Sequence, residues 1–99
     1  MIYNFDWDPN KALSNVRKHK VSFRQAMSVF SDPYQMSVYD VEHSDDEDRW
    51  HTLGRDLAGN LLVVVHTAEQ TDNDLNIRIV SARKASAMQR ETYYEQYDT

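Results

Sequence analysis

The chain has 99 residues, a length typical of one domain, and its 40% apolar content argues against disorder. The absence of cysteine excludes disulfide bonds and thiolate metal sites, and it fits a reducing cytoplasm. The longest apolar run covers only residues 61–65, and no secretory signal is visible at the N-terminus. We therefore expect one cytoplasmic domain over residues 1–99, without membrane contact.

The net charge of −5 is unusual for a protein that binds nucleic acid, because such proteins normally present a basic face. Six acidic residues, however, lie in the segment 40–48, which contains no lysine or arginine. The other 10 acidic residues (16 minus 6) face 11 basic ones, so the remainder has a net charge of +1 and could form a positive cleft. The acidic segment lacks the spacing of a calcium loop and is interpreted as a solvated loop.

A short strand at residues 2–5 is predicted to precede the first helix. Asp8 suits the N-cap position, and Pro9 suits the first turn of a helix over residues 10–19. The apolar stripe of this helix is expected to contain Ala12, Leu13 and Val16.

A second helix is predicted after residue 21. Ser22 and Gln25 have the spacing of a capping box, and the apolar residues that follow recur at helical intervals. Asp32 and Pro33 end this helix, because the residue before proline avoids the helical region.

Four further strands are predicted from alternating or β-branched runs at residues 36–41, 49–55, 61–67 and 75–82. Short connections between the last three strands indicate an antiparallel meander. Ser86 and Gln89 form a second capping box, which opens a helix to about Tyr97. The order β-α-α-β-β-β-β-α predicts an α+β fold, with an antiparallel sheet, two N-terminal helices and one C-terminal helix.

An ordered set of short motifs covers almost the whole chain. It consists of Phe5-Asp6-Trp7-Asp8-Pro9-Asn10-Lys11-Ala12, Asn15, Lys18-His19, Val21-Ser22-Phe23, Val29-Phe30, Asp32-Pro33, Arg49-Trp50, Leu53-Gly54, Val63-Val64-Val65-His66-Thr67 and Ile77-Arg78-Ile79-Val80-Ser81-Ala82-Arg83-Lys84-Ala85. This set resembles the BrnT family of bacterial type II toxins, which are small ribonucleases of the RelE-like superfamily.

The resemblance implies a RelE-like fold and RNA cleavage without a metal or other cofactor, which inhibits translation and growth. It also implies neutralisation by a BrnA-like antitoxin with a ribbon-helix-helix part, so that DNA is contacted only through the complex with the antitoxin. The alternative is a non-catalytic module that uses its sheet to dock a protein partner, which the acidic net charge would suit.

Metal-free RNA cleavage needs a base, an acid and cations that stabilise charge on the phosphate oxygens. The resemblance suggests phosphate binding by Arg78 and Arg83, and proton transfer by His66 or Glu91. Expected RNA-binding residues are Lys18, Arg49, Arg55 and Tyr94. Most of these side chains also have a structural interpretation.

Arg78 and Arg83 could instead form salt bridges to Glu91 or an aspartate, and Arg49 could neutralise the acidic segment. Lys18 could compensate the dipole of the first helix. His66 could be a buried structural histidine, and Tyr94 could pack on the sheet. His51 and Arg55 share a strand face with Arg49 but do not belong to the motifs.

Overall fold

The structure, a computed structural model, describes residues 1–98, with side chains up to Gln96, so the Tyr97 side chain lies outside the described residues. The predicted order of elements is confirmed. The strands are β1 (Ile2–Trp7), β2 (Met36–Tyr39), β3 (Arg49–Arg55), β4 (Leu61–Gln70) and β5 (Asp74–Lys84), and the helices are α1 (Pro9–His19), α2 (Phe23–Ser28) and α3 (Ala87–Tyr94). Single 3₁₀ turns extend α2 over Val29–Ser31 and α3 over Glu95–Asp98.

The predicted helix starts are confirmed at the level of single hydrogen bonds. Asp8 accepts a hydrogen bond from the backbone N–H of Asn10 at 2.8 Å, and both capping boxes, at Ser22 and Ser86, are fully formed. Within the part of the chain that the structure describes, no helix has the length and apolar character needed to span a membrane.

The sheet has five strands in the order β1-β5-β4-β3-β2. β2, β3, β4 and β5 pair in antiparallel fashion, as predicted, whereas β1 joins the edge of β5 in parallel. β4 and β5 are longer than predicted, because the loop expected at residues 68–74 is largely part of a regular hairpin.

A bulge in β5 changes which of its side chains share a face. Val65 pairs with Ser81 but His66 pairs with Ile79, so Val80 is the extra residue. Ile77, Ile79 and Ala82 consequently all point into the core. Strict alternation from Ile77 to Ala82 predicts that Ala82 shares a face with Arg78, and this prediction is wrong because alternation fails at Val80.

The hydrophobic core lies between α1, α2 and one face of the sheet. Its buried residues are Val21, Phe23, Ala26, Val29, Leu62, Val64, Ile77, Ile79 and Ala82. The predicted stripe of α1 is only partly correct, because Ala12 packs against this core while Leu13 is 62% exposed and Val16 is also exposed. The residue of α1 that is buried instead is Asn15.

Asn15 replaces a missing strand partner of β5. Its amide nitrogen donates to the carbonyl of Ala82 at 2.8 Å, and its amide oxygen accepts from the N–H of Ala82 at 3.1 Å. The pairing of β1 with β5 ends at Ile79, so the backbone of Ala82 would otherwise be buried without partners. These two hydrogen bonds fix α1 against the sheet edge, beside the site described next.

Candidate functional site

The candidate site lies on the sheet face opposite α1 and α2, here called the outer face. Its side chains follow from the strand register. One row across the sheet contains Arg49, Thr67, Arg78 and Asp6, from β3, β4, β5 and β1. The next row contains His51, Val65 and Ser81, and a third contains Leu53, Val63 and Arg83.

Arg49, Arg78 and Arg83 thus lie on one face, as their proposed role requires. Neighbouring strands are about 4.8 Å apart, so Arg49 and Arg78, two strands apart in one row, have Cα atoms about 10 Å apart. Arg83 lies two rows away on the same strand as Arg78. The register thus places three guanidinium-bearing side chains on the same face of the sheet.

Arg49 does not neutralise the acidic segment that precedes it. No ion pair among the described residues includes Arg49, and its Nε atom is buried without a hydrogen-bond partner there. A buried donor without a partner costs free energy. Among the described residues, no carboxylate therefore competes with an anion for the Arg49 guanidinium group.

Arg78 forms an ion pair with Asp6, at 3.0 Å between Nη1 and Oδ2. Both side chains are solvent-exposed, so this pair contributes little to stability. Arg78 lines a cleft of about 330 Å³ together with Asp6, Glu47 and Glu69. The acidic residues of this cleft compete with any anion for Arg78.

Arg83 lies at the margin of the outer face, where α3 crosses it. Its Nη1 atom donates to Oε1 of Gln89 on α3 at 3.0 Å and to the carbonyl of Lys84 at 3.2 Å. Among the described residues, Arg83 forms no salt bridge to Glu91. Both partners of Arg83 are neutral, so its positive charge is not cancelled.

His66 lies on the opposite side of the sheet from these arginines. It is 4% exposed and packs edge-on against Phe30, with 4.8 Å between ring centroids. Nδ1 lies 3.0 Å from the carbonyl of Thr67, and Nε2 lies 2.6 Å from the hydroxyl of Thr52. Because the carbonyl can only accept, Nδ1 carries the proton and Nε2 accepts from Thr52 in the neutral ring. Proton transfer by His66 at a phosphate held by Arg78 and Arg83 requires these side chains to share a pocket, and that expectation is wrong.

Burial lowers the pKa of His66, and the nearby His51 lowers it further, although the hydrogen bond to Thr67 partly opposes this. The folded protein therefore keeps His66 neutral at a pH where the unfolded chain binds a proton. We expect the free energy of unfolding to fall as pH decreases below about 6.5, by about 1.4 kcal/mol for each unit by which the pKa is lowered. Urea denaturation between pH 8 and 5 measures this slope.

Substitution His66→Gln should flatten that slope, and the same substitution at the exposed His19 is the matched control. An unchanged slope in His66→Gln would contradict a buried neutral histidine at this position.

Glu91 and Tyr94 lie on α3 but do not face the arginines. Gln89, Thr92 and Tyr93 of this helix turn toward the sheet, and at 100° per residue Glu91 lies about 160° away from both Gln89 and Tyr93. Glu91 is exposed accordingly, so it does not join the predicted pocket. The ring of Tyr94 packs against Tyr93 and lies under the guanidinium of Arg90.

Lys18 and Arg55 lie at two different margins of the sheet. Lys18 lines a cleft beside the β5 bulge together with Lys11, His19 and Ser81, so it extends the outer face around the sheet edge. Arg55 lies at the other end of β3, in a cleft with Asp32, whose pKa its charge helps to lower. Arg55 shares the β3 face with Arg49, as predicted, but it is six residues further along the strand and lies in a different cleft.

His51 is the outer-face residue that the sequence motifs did not identify. Its Nε2 atom lies 2.9 Å from Oδ2 of Asp40, and it borders a groove between the sheet and α3. No spacing rule links Asp40 and His51, because an irregular loop separates them. Among the residues that the structure describes, no three His, Asp or Glu side chains converge as a metal-binding cluster.

Comparison with known proteins identifies the family. Residues 7–89 match the family model described as "Ribonuclease toxin, BrnT, of type II toxin-antitoxin system". The chain belongs to this family. The fold agrees with the crystal structure of the Brucella abortus ribonuclease toxin BrnT, with a TM-score of 0.56 and 17% identity over 87% of this chain and 99% of that one. No curated protein matches the chain in sequence.

Membership of the BrnT family decides between the two functions considered for the sequence. The chain is a ribonuclease toxin of a type II toxin-antitoxin system, rather than a non-catalytic docking module. RNA is its substrate and an antitoxin is its partner. The α+β fold with its mainly antiparallel sheet agrees with that of the Brucella protein.

Proposed function

We propose that this BrnT toxin cleaves RNA on the outer face of its sheet, without a metal ion, and that Arg49, Arg78 and Arg83 hold the scissile phosphate. The observation that carries the proposal is the placement of these three arginines on one face of the sheet. The family match supports the reaction class.

The chemistry of RNA cleavage explains why arginine suits this site. As the 2′-oxygen attacks phosphorus, negative charge grows on the non-bridging oxygens, and fixed cations stabilise that charge more than they stabilise the ground state. A guanidinium group binds two oxygens at once and stays protonated at every physiological pH. Lys18, at the sheet edge, is placed to bind a neighbouring phosphate of the same RNA strand.

The proposed biological role follows from the family. The toxin acts in the cytoplasm, where RNA cleavage lowers translation and growth, and a BrnA-like antitoxin with a ribbon-helix-helix part neutralises it. DNA is contacted only through this complex. A small ribbon-helix-helix protein encoded beside the toxin, when co-expressed, should restore growth and co-purify with it.

Incubation of the purified protein with single-stranded RNA in EDTA tests the proposed reaction. We expect cleavage in EDTA, whereas a DNA strand of the same sequence stays intact because it lacks the attacking 2′-hydroxyl. Transcripts in a cell-free translation reaction are followed in parallel. Cleavage that appears only after Mg²⁺ is added would contradict the metal-free mechanism, and no cleavage in either reaction would contradict the site itself.

A further inference from the structure

The carboxylate of Asp40 is held between two histidines. Oδ2 lies 2.9 Å from Nε2 of His51 and 3.1 Å from Nδ1 of His43. Oδ1 accepts the backbone N–H groups of Glu42 and His43, each at 3.1 Å. These bonds fix the carboxylate in place, and the hydrogen bond from His51 is the main reason that the pKa of Asp40 falls to about 2.

The contact with Asp40 determines the tautomer of His51. An ionised carboxylate only accepts hydrogen bonds, so Nε2 of His51 must carry the proton. In the neutral ring the lone pair is then on Nδ1, and no hydrogen bond to Nδ1 occurs among the described residues. The half-exposed ring therefore offers an oriented proton acceptor to the groove beside it.

His51 lies between the rows that hold the arginines. Arg49 is two residues away from His51 on the same face of β3. Ser81 is the β5 residue in the row of His51, and Arg78 and Arg83 lie on either side of Ser81 on that face. The α3 residues in the groove, Gln89 and Thr92, are uncharged. A phosphate held by the arginines would place an adjacent ribose over this middle row.

We propose that His51 is the proton acceptor in RNA cleavage and that Asp40 is the residue that positions it. This inference rests on the proposed function, because it needs RNA on the outer face. In the part of the chain that the structure describes, the charged or titratable groups near His51 include Asp40, Arg49 and the buried His66, which lies on the opposite face of β4. His43 contacts His51 indirectly, through Asp40.

The reaction step balances without a cofactor. Nδ1 of His51 takes the proton of the ribose 2′-hydroxyl, and the 2′-oxygen forms a bond to phosphorus. The bond from phosphorus to the 5′-oxygen breaks, and the leaving oxygen takes a proton from water. The products are a 2′,3′-cyclic phosphate and a 5′-hydroxyl end, and His51 then returns its proton to solvent.

The test uses a 5′-labelled single-stranded RNA and the full chain. Substitution His51→Gln should lower kcat at least 100-fold, within the usual range for loss of a general base, and should abolish the rise of rate with pH. Asp40→Asn should lower kcat about 10-fold with KM nearly unchanged.

His43→Gln is the matched control. His43 bonds the same carboxylate but is exposed and lies outside the groove, so its replacement should leave kcat and the pH profile unchanged. If Asp40 served only to fold the β2–β3 connection, His43→Gln and His51→Gln would lower the cleavage rate equally.

Wild-type cleavage together with wild-type rates in His51→Gln would overturn this assignment and leave the proposed function intact. A wild-type protein that cleaves no RNA would overturn both. If His51→Gln does not fold, the pH profile of the wild-type cleavage rate tests the assignment of His51. A neutral histidine that accepts the proton requires a rate that rises with pH, so a rate independent of pH would exclude it.

Discussion

Substitution Arg78→Ala should lower kcat for RNA cleavage about 100-fold, the usual cost of removing one group that stabilises charge in a transition state. The melting temperature should change little, because the Arg78–Asp6 ion pair is solvent-exposed and such pairs contribute at most about 1 kcal/mol. Gel-based cleavage rates and thermal unfolding of the same preparation measure both quantities.

Asp6→Asn is the control for Arg78→Ala, because it removes the same ion pair while keeping the guanidinium group. We expect Asp6→Asn to cleave RNA at least as fast as the wild type, since Asp6 competes with phosphate for Arg78. Arg78→Lys should retain intermediate activity, because lysine keeps the charge but loses two-point binding. Equal losses in Asp6→Asn and Arg78→Ala would instead assign Arg78 a structural role.

The helices of this fold were predictable because their signals are local. Asp8, Ser22 and Ser86 cap backbone N–H groups two or three residues away, so the sequence alone contains the full interaction. Strand order and strand faces depend on distant partners. The extra residue Val80 reverses the alternation of β5, and no sequence pattern indicates a bulge there.

The candidate site was only partly predictable, because its arrangement also depends on distant strand partners. Arg78 and Arg83 were identified from the family resemblance, and they do share a face. His66 was grouped with them because it lies in a matching motif, but the register places it beneath Phe30. The contact between His51 and Asp40 crosses the β2–β3 connection, so only the folded chain shows it.

Asp32 was predicted only to end a helix, yet its carboxylate joins three parts of the fold. Oδ1 accepts the N–H of Tyr34 at 2.9 Å, and Oδ2 accepts the N–H of Arg55 at 2.8 Å and the hydroxyl of Tyr93 at 2.5 Å. Burial alone would raise the pKa of Asp32, but these hydrogen bonds outweigh burial and lower it. Gly54 allows this close packing, because a Cβ there would lie 2.7 Å from Val29.

Substitution Tyr93→Phe should lower the free energy of unfolding by about 2 kcal/mol, the contribution of a hydrogen bond to a charged group. Asp32→Ala should cost more, about 4 kcal/mol, because the hydroxyl of Tyr93 and the N–H of Arg55 both lose their acceptor. For a domain of this size, 1 kcal/mol corresponds to about 4–8 °C in melting temperature, so calorimetry should resolve both changes.

Tyr39→Phe provides the comparison, because the Tyr39 hydroxyl bonds Asp48 at 2.8 Å on the exposed surface and its loss should cost under about 1 kcal/mol. Tyr93 is also the buried residue of α3, the helix that borders the His51 groove. Well below its melting temperature, Tyr93→Phe should therefore cleave RNA at a rate close to that of the wild type, in contrast to Arg78→Ala. Equal destabilisation by Tyr39→Phe and Tyr93→Phe would show that Asp32 does not anchor α3.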